Sequence, residues 1–145
     1  ISIRKSDKPK FSYNNFPCYV SQTFNIIQSD RINLKYFTAV LNSTLIKFWF
    51  KNKGKMQGDI FQIDREPLLK VPIYIPNNSQ QKEIINFVDE IIKLRTKINS
   101  IPINSDQYRN LERETMKIEK EIDQIVYKIY GLKEEEIKIL EDSLK

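Results

Sequence analysis

The chain of 145 residues is 40% hydrophobic and 30% charged, which is typical of one globular domain. No apolar run approaches the roughly 20 residues of a membrane helix, and no signal-peptide pattern opens the chain, so we expect a cytoplasmic protein without a membrane partner. A single cysteine and the absence of histidine argue against an internal disulfide and against a zinc site with nitrogen and sulfur ligands. Because the first residue is Ile1 and not Met, we expect a piece of a longer protein.

Charge is distributed unevenly along the chain. Residues 1 to 72 contain 12 Lys and Arg against 5 Asp and Glu, a net charge of +7, whereas residues 73 to 145 contain 12 against 14, a net charge of −2. A basic surface of this kind fits a phosphate-bearing partner, although composition alone fits a merely solvated lysine-rich surface equally well. The basic half is also the half in which the sequence predicts loops.

The N-terminal segment, residues 1 to 18, contains two prolines and predicts an irregular arm or a short strand. Its basic residues are interleaved with aromatic ones, a composition that suits a nucleic-acid groove. The alternative is that the aromatic residues anchor the arm to the core, and we favour that role for Phe11 and Phe16. Residues 19 to 28 then show the alternation of a β-strand.

Residues 33 to 76 predict a buried helix, a basic loop and an edge strand in succession. An apolar stripe with spacings of three and four residues fits one face of a helix, and Asn33 is a plausible N-cap. The stripe consists of Leu34, Phe37, Val40, Leu41, Leu45, Phe48 and Trp49. The loop that follows holds three lysines around Gly54 and Gly58, which allow tight turns. Residues 60 to 76 contain β-branched and aromatic residues and three prolines, which favours a strand on or near a sheet edge.

The C-terminal residues predict two helices packed lengthwise. Helical stripes run through residues 80 to 99 and 106 to 130, and the short link with Pro102 predicts an antiparallel hairpin. The expected seam includes Ile84, Val88, Ile91, Ile118, Ile122 and Ile125. Gly131 is placed to end the second helix, and a short Glu-rich helix over residues 133 to 142 follows.

Together these elements predict an α+β fold. We expect a small, mainly antiparallel twisted sheet with a packed helix, followed by a long, coiled-coil-like antiparallel helical hairpin. Residues 1 to 76 would form a basic α+β lobe and residues 77 to 145 a helical lobe, the two together making one domain.

Several short phrases of the sequence, taken in order, resemble a known family. They are Leu41-Asn42-Ser43 on a helix, the loop over residues 51 to 62, Val71-Pro72-Ile73, Gln80-Gln81 at the start of a helix, and Val126-Tyr127 with Tyr130-Gly131-Leu132. Their order and spacing resemble the TaqI-like C-terminal specificity domain of restriction-modification enzymes, and more distantly the type I specificity subunits. The resemblance covers roughly Tyr19 to the C-terminus.

This resemblance implies sequence-specific recognition of double-stranded DNA for a type II (type IIG) restriction enzyme or adenine-specific DNA methyltransferase. The methyltransferase and endonuclease domains would lie elsewhere in the same polypeptide, since the Asn-Pro-Pro-aromatic motif and the glycine-rich cofactor loop of those methyltransferases do not occur in these residues. The chain itself would need no cofactor. S-adenosylmethionine and Mg²⁺ would belong to the parent enzyme.

Two other functions fit the residues. The helical hairpin could dimerise or dock another subunit, with the positive charge incidental. Alternatively, a metal-dependent nuclease could use Asp64, Glu66 and Lys70, because Asp64 and Glu66 would face the same side of a strand. The absence of histidine excludes the usual serine and cysteine triads, and the glycines form no phosphate-binding loop. Charged residues on an exposed strand usually only keep an edge soluble, so no catalytic and no metal-binding residue is assigned.

Candidate DNA contacts follow from side-chain chemistry. Lysines position DNA through its phosphates, and the candidates are Lys35, Lys51, Lys53 and Lys55. Gln can bond adenine, and Arg guanine, through two hydrogen bonds each, so the candidates for base readout are Gln57, Gln62 and Arg65. We expect Asn42 and Ser43 to be structural, because they lie midway along a packed helix.

Overall fold

The computed structural model describes residues 1–103 and 105–144. Within these residues the strands are β1 (Ser2–Ile3), β2 (Lys5–Ser6), β3 (Phe24–Asn25), β4 (Lys55–Gln57) and β5 (Ile60–Gln62). The helices are α1 (Leu34–Asn42), α2 (Thr44–Lys53), α3 (Arg65–Leu69), α4 (Asn78–Ile98), α5 (Asp106–Ile129) and α6 (Glu134–Asp142).

Two small antiparallel sheets lie in the N-terminal half. β1 pairs with β3, and the second sheet has the strand order β2-β5-β4. The predicted α+β class with antiparallel sheets and packed helices is confirmed. The strand predicted over residues 19 to 28 is wrong in length, since only Phe24–Asn25 is a strand and its partner β1 is itself two residues long.

The single helix predicted from Leu34 to Trp49 is two helices. α1 ends and α2 begins at Ser43, whose φ of −64° and ψ of 154° are extended. The Ser43 hydroxyl donates to the Val40 carbonyl oxygen at 2.7 Å and accepts from the Ile46 N–H at 3.4 Å. One serine therefore ends the first helix and caps the second.

Asn42 ties the N-terminal arm to α1. Its side-chain oxygen accepts from the Phe11 N–H at 2.9 Å, and its nitrogen donates to the Phe11 carbonyl oxygen at 2.8 Å. Phe11 is 6% exposed and stacks on Phe50, whereas Phe16 is 67% exposed. The predicted anchoring role is therefore right for Phe11 and wrong for Phe16, and Asn42 and Ser43 are structural as expected.

Residues 60 to 76 do not form one strand, which corrects the prediction. After β5 the chain enters α3 at Arg65, and the segment between α3 and α4 is irregular. Pro67 lies in the first turn of α3, where the helix does not need the missing N–H. One turn of helix also brings Lys70 within 2.7 Å of the Glu66 carboxylate. These local contacts favour a helical turn over an extended strand.

The helices α4 and α5 form the predicted antiparallel hairpin. The Arg95 guanidinium, near the end of α4, donates to Glu112, near the start of α5, at 2.5 Å and lies 3.6 Å from Glu119. The predicted seam is confirmed. Ile84, Val88, Ile118 and Ile122 are buried, and Ile91 and Ile125 are half-buried.

Gly131 ends α5 as predicted. It has a φ of 68°, the left-handed conformation that favours glycine. The Leu132 N–H donates to the Tyr127 carbonyl oxygen at 3.0 Å, and the Gly131 N–H donates to that of Lys128 at 3.1 Å. This pair of bonds is the Schellman arrangement, which satisfies the last carbonyl groups of a helix.

Most of the buried hydrophobic side chains form one cluster that includes Phe61 of β5, Val40 of α1 and Ile122 of α5. The sheet that bears the candidate residues therefore rests on the same core as the hairpin. Within residues 1–103 and 105–144, no helix combines the length and the hydropathy that crossing a bilayer requires.

Candidate nucleic-acid interface

The predicted basic loop is largely a β-hairpin. Gly54 ends α2, and a Cβ atom at this position would lie 2.5 Å from the Phe50 carbonyl oxygen. Gly58 and Asp59 connect β4 to β5, and Gly58 has a φ of 60°. Two-residue hairpin turns need this left-handed conformation, which glycine adopts without strain. The turn fixes the register of the two strands and hence the face on which each side chain lies.

One face of the three-stranded sheet carries cations and amides. Gln62, in the middle strand, is paired with Lys5 of β2 on one side and with Lys55 of β4 on the other. Gln57 and Ile60 form the next cross-strand pair on the same face, because residues two apart along a strand point the same way. We call these five residues the outer sheet face. The opposite face bears Phe61, which is 4% exposed and packs in the core.

Hydrogen bonds hold the polar side chains of the outer sheet face in place. Lys5 Nζ donates to Gln57 Oε1 at 3.0 Å. Gln62 Nε2 donates to the two carboxylate oxygens of Asp64 at 3.0 and 2.8 Å, and Arg4 donates to the same carboxylate at 3.3 Å. The hydrogen bond from Gln62, followed by that from Arg4, lowers the pKa of Asp64. Asp64 is therefore ionised at neutral pH.

The lysines selected as phosphate contacts do not all lie on one surface. Lys55 belongs to the outer sheet face, and Lys53, at the end of α2, is exposed two residues before it. Lys51, two residues before Lys53 in α2, donates through Nζ to the Ser143 carbonyl oxygen just after α6. Lys53 and Lys55 are thus better placed than Lys51 for a ligand on the sheet.

Lys35 lies apart from the other three lysines, on α1 against α4. Its Nζ donates to Asp89 Oδ1 at 2.5 Å and lies 5.5 Å from the centre of the Tyr13 ring. The hydrogen bond to Asp89 raises the pKa of Lys35. A phosphate would have to replace this intramolecular partner.

The three residues selected for base readout lie in two elements. Gln57 and Gln62 are on the outer sheet face. Arg65 is the first residue of α3 and is exposed, so its predicted place on a strand is wrong. Among the residues that the structure describes, the Arg65 side chain has no hydrogen-bond or ion-pair partner and can turn toward a ligand of the sheet.

Sequence reasoning missed Lys5 and Ile60 as members of the outer sheet face, and it missed the Arg4–Asp64 pair that lies beside Gln62. The mixture of basic and aromatic residues in the N-terminal arm was a signal for a nucleic-acid groove, but it did not show that the arm adds a strand to the hairpin. The pairing of Lys5 with Gln62 joins residues far apart in sequence, which no local pattern reports.

The carboxylates considered for a metal-dependent nuclease each have another partner. Asp64 accepts from Gln62 and Arg4, whereas Glu66 lies on α3 and accepts from Lys70. The two do not lie on one strand, so the reason for placing them side by side is wrong. In residues 1–103 and 105–144, no three acidic, cysteine or histidine side chains come together as a potential metal site.

A cleft of about 460 Å³ lies between the N-terminal arm and α1. Aromatic side chains make up much of its lining, among them Tyr13, Phe16 and Phe37. Asn14, also in the lining, donates to the Phe16 carbonyl oxygen at 3.0 Å and to the Cys18 sulfur at 2.9 Å. None of the residues of the outer sheet face lines this cleft, so the two features are separate surfaces.

The architecture is that of an α+β protein whose small sheet exposes cations and amides and shares one core cluster with a pair of long helices. The family model of the TaqI-like C-terminal specificity domain matches residues 1–73, which is half of the chain. The chain belongs to this family, and membership gives it a specificity role in restriction-modification. Searches of curated proteins and of solved structures found no match.

The matched residues contain both sheets and the helices α1 to α3. All residues selected for DNA contact lie within the match. The family resemblance inferred from the sequence is confirmed, but the matched segment begins at Ile1 and not near Tyr19, and it ends at Ile73. The phrases in α4 and at the end of α5 lie outside the matched segment.

Proposed function

We propose that the chain recognises a specific sequence in double-stranded DNA for a type II restriction-modification enzyme, an adenine methyltransferase with or without endonuclease activity. The observation that carries this proposal is the cross-strand row of Lys5, Gln62 and Lys55 on the exposed face of a sheet within the family-matched residues. Cations beside amides supply both kinds of contact that sequence-specific DNA binding needs.

The two kinds of residue have different tasks. Lys53 and Lys55 contact phosphates and position the chain, which adds affinity for any sequence. Gln57, Gln62 and Arg65 contact base edges, whose donors and acceptors differ among the four base pairs in the major groove. The tip of the β4–β5 hairpin extends beyond the residues that pair with β2. There it is a two-stranded β-ribbon, which is narrow enough to enter that groove.

The chemistry of the enzyme would lie in domains joined to this chain in the same polypeptide. Methyl transfer would use S-adenosylmethionine and cleavage would use Mg²⁺, both bound by those domains. The specificity domain would hold one side of the duplex while the catalytic domain holds the other.

Salt-dependent binding tests the phosphate contacts. Fluorescence anisotropy with duplex DNA is measured at several salt concentrations for the chain alone and joined to its catalytic domains. Lys53→Ala and Lys55→Ala should weaken binding to all sequences alike and reduce the slope of log affinity against log salt by about one unit each. Lys93→Ala, an exposed lysine on α4, is the matched control and should leave the slope unchanged.

Base readout is tested on the same duplexes. Gln57→Ala or Arg65→Ala should cost about 1 to 3 kcal/mol on the target sequence and relax sequence preference. If alanine at Lys53, Lys55, Gln57 and Arg65 together leaves affinity, salt slope and target sequence unchanged, the assignment of this surface is wrong. Absence of binding in the joined protein would favour a docking role, and Mg²⁺-dependent plasmid cleavage by the chain alone would favour a nuclease.

A further inference from the structure

The two glutamines of the outer sheet face are held in opposite orientations. Gln57 accepts from Lys5 through Oε1 at 3.0 Å, and its amide nitrogen has no partner among the residues that the structure describes. Gln62 instead donates through Nε2 to Asp64, at 3.0 and 2.8 Å, and its Oε1 has no partner in the same part of the chain. One amide therefore offers hydrogen-bond donors to a ligand, and the other offers an acceptor.

We propose that Asp64 is a positioning residue that fixes the amide of Gln62 with its oxygen available to DNA, so that Gln62 selects a base bearing an exocyclic amino group. In the major groove these groups are N6 of adenine and N4 of cytosine. A freely rotating glutamine would instead bond adenine through both N6 and N7. The proposal rests on the proposed function and specifies what one residue of that surface recognises.

The orientation of Gln62 is favoured by charge. A hydrogen bond to an ionised carboxylate is about twice as strong as one between neutral groups. Reversing the amide would remove that bond and place the Gln62 oxygen against the negative charge of Asp64. The carboxylate is itself held by Arg4 at 3.3 Å, and its side chain is 28% exposed. Asp64 makes no side-chain hydrogen bond to the N-terminus of α3, so its carboxylate is not needed as a helix cap.

This geometry predicts which bases the DNA target carries opposite the two glutamines. Gln62 accepts a hydrogen bond equally well from adenine N6 and cytosine N4, so one position of the site should accept adenine or cytosine and reject guanine and thymine. Gln57 presents the opposite polarity and should contact an acceptor, such as O6 or N7 of guanine or O4 of thymine.

Selection from randomised duplexes tests the role of Asp64. The wild-type protein should enrich adenine or cytosine at one position. Asp64→Ala should reduce discrimination at that position about 3- to 10-fold, the effect of one hydrogen bond, and leave the other positions unchanged. Asp59→Ala removes the same charge from the exposed hairpin turn. This control should retain the preference.

A purine base that lacks the 6-amino group gives a second readout. Placed at the selected position, it should weaken wild-type binding about 3- to 10-fold relative to adenine and should not weaken binding by Gln62→Ala further. An unchanged preference in Asp64→Ala, or selection of guanine or thymine at the affected position, would overturn this inference and leave the proposed function intact. Wild-type binding without any sequence preference would overturn both.

Discussion

The carboxylate of Asp123 in α5 accepts hydrogen bonds from both the backbone N–H and the hydroxyl of Thr44, the first residue of α2. The bond from the backbone N–H measures 2.8 Å, and the hydroxyl donates to the second carboxylate oxygen. The two residues are 79 positions apart in the chain. A carboxylate at the N-terminus of a helix satisfies a free N–H group and complements the helix dipole. Asp123 thus ties the helical hairpin to α2, the helix that leads into the three-stranded sheet.

Replacing Asp123 tests this link. Asp123→Ala leaves the Thr44 N–H and hydroxyl without their acceptor, and the free energy of unfolding should fall by about 1 to 3 kcal/mol. Asp123→Asn keeps one acceptor oxygen and should lower the free energy of unfolding by a smaller amount. Urea denaturation of the two variants gives both values. Equal stability of Asp123→Ala and wild type would show that the bonds contribute nothing.

The free energy of unfolding should also depend on pH through Asp123. Burial raises the pKa of Asp123 above its ordinary value of 3.8, in spite of the two hydrogen bonds. The folded state therefore binds this proton more tightly than the unfolded chain, and the contribution of Asp123 to stability falls as pH rises from about 3.8 through the raised value. The unfolding free energy of wild type should therefore fall relative to that of Asp123→Asn, which does not titrate, over that interval. A wild-type stability that rises relative to Asp123→Asn with pH would contradict the assigned direction.

The hairpin seam is tested at Ile122, which is 5% exposed. Ile122→Ala should lower the free energy of unfolding by about 2 to 5 kcal/mol, because it removes buried methylene groups and leaves a cavity. Met116→Ala on the same helix is the control, since Met116 is 55% exposed, and it should change stability by about 0.5 kcal/mol at most. Thermal melting of the two variants, measured side by side, checks this prediction. Equal melting midpoints would show that Ile122 is not packed in the seam.

The end of α5 depends on the left-handed backbone at Gly131, which has a φ of 68°. A Cβ atom here would meet no neighbour, so the cost of Gly131→Ala comes from backbone conformation alone and should be about 1 to 2 kcal/mol. Gly131→Asn should cost less, because asparagine tolerates this conformation better. If Gly131→Ala and Gly131→Asn prove equally stable in urea denaturation, the conformational explanation is wrong.

Periodicity was sufficient to predict α4, α5 and the helical character of the α1 and α2 region, but not α3. The apolar stripes in α1, α4 and α5 follow one face of each helix. The Asn33 side chain begins α1 and the left-handed backbone of Gly131 ends α5, and both effects act locally. The break at Ser43 was missed because the apolar stripe continues across it, while the bonds that end one helix and cap the next depend on the folded position of a single hydroxyl.

The sheet was harder to predict for a different reason. Strands of two or three residues are too short for alternation to stand out, and β2 is defined only by its pairing with β5. Gln57, Gln62, Lys53 and Lys55 could be selected from side-chain chemistry, and the structure brings them near one another. The restraint of Gln62 by Asp64 could not be foreseen, because Asp64 was expected on a strand with Glu66.

The pairing of β2 with β5 also has a kinetic consequence. The β4–β5 hairpin needs only a two-residue turn and can close within about 1 to 10 μs. β2 joins the hairpin from the other end of the matched region, and the side-chain bond from Lys5 to Gln57 spans 52 positions. The entropic cost of closing this long loop must therefore be overcome before β2 can pair. We therefore expect the outer sheet face to be completed late in folding. In the native chain, β2 should correspondingly detach from this sheet first, which separates Lys5 from Gln57 while the hairpin stays closed. The amide protons of β2 should then exchange with solvent before those of β4 and β5.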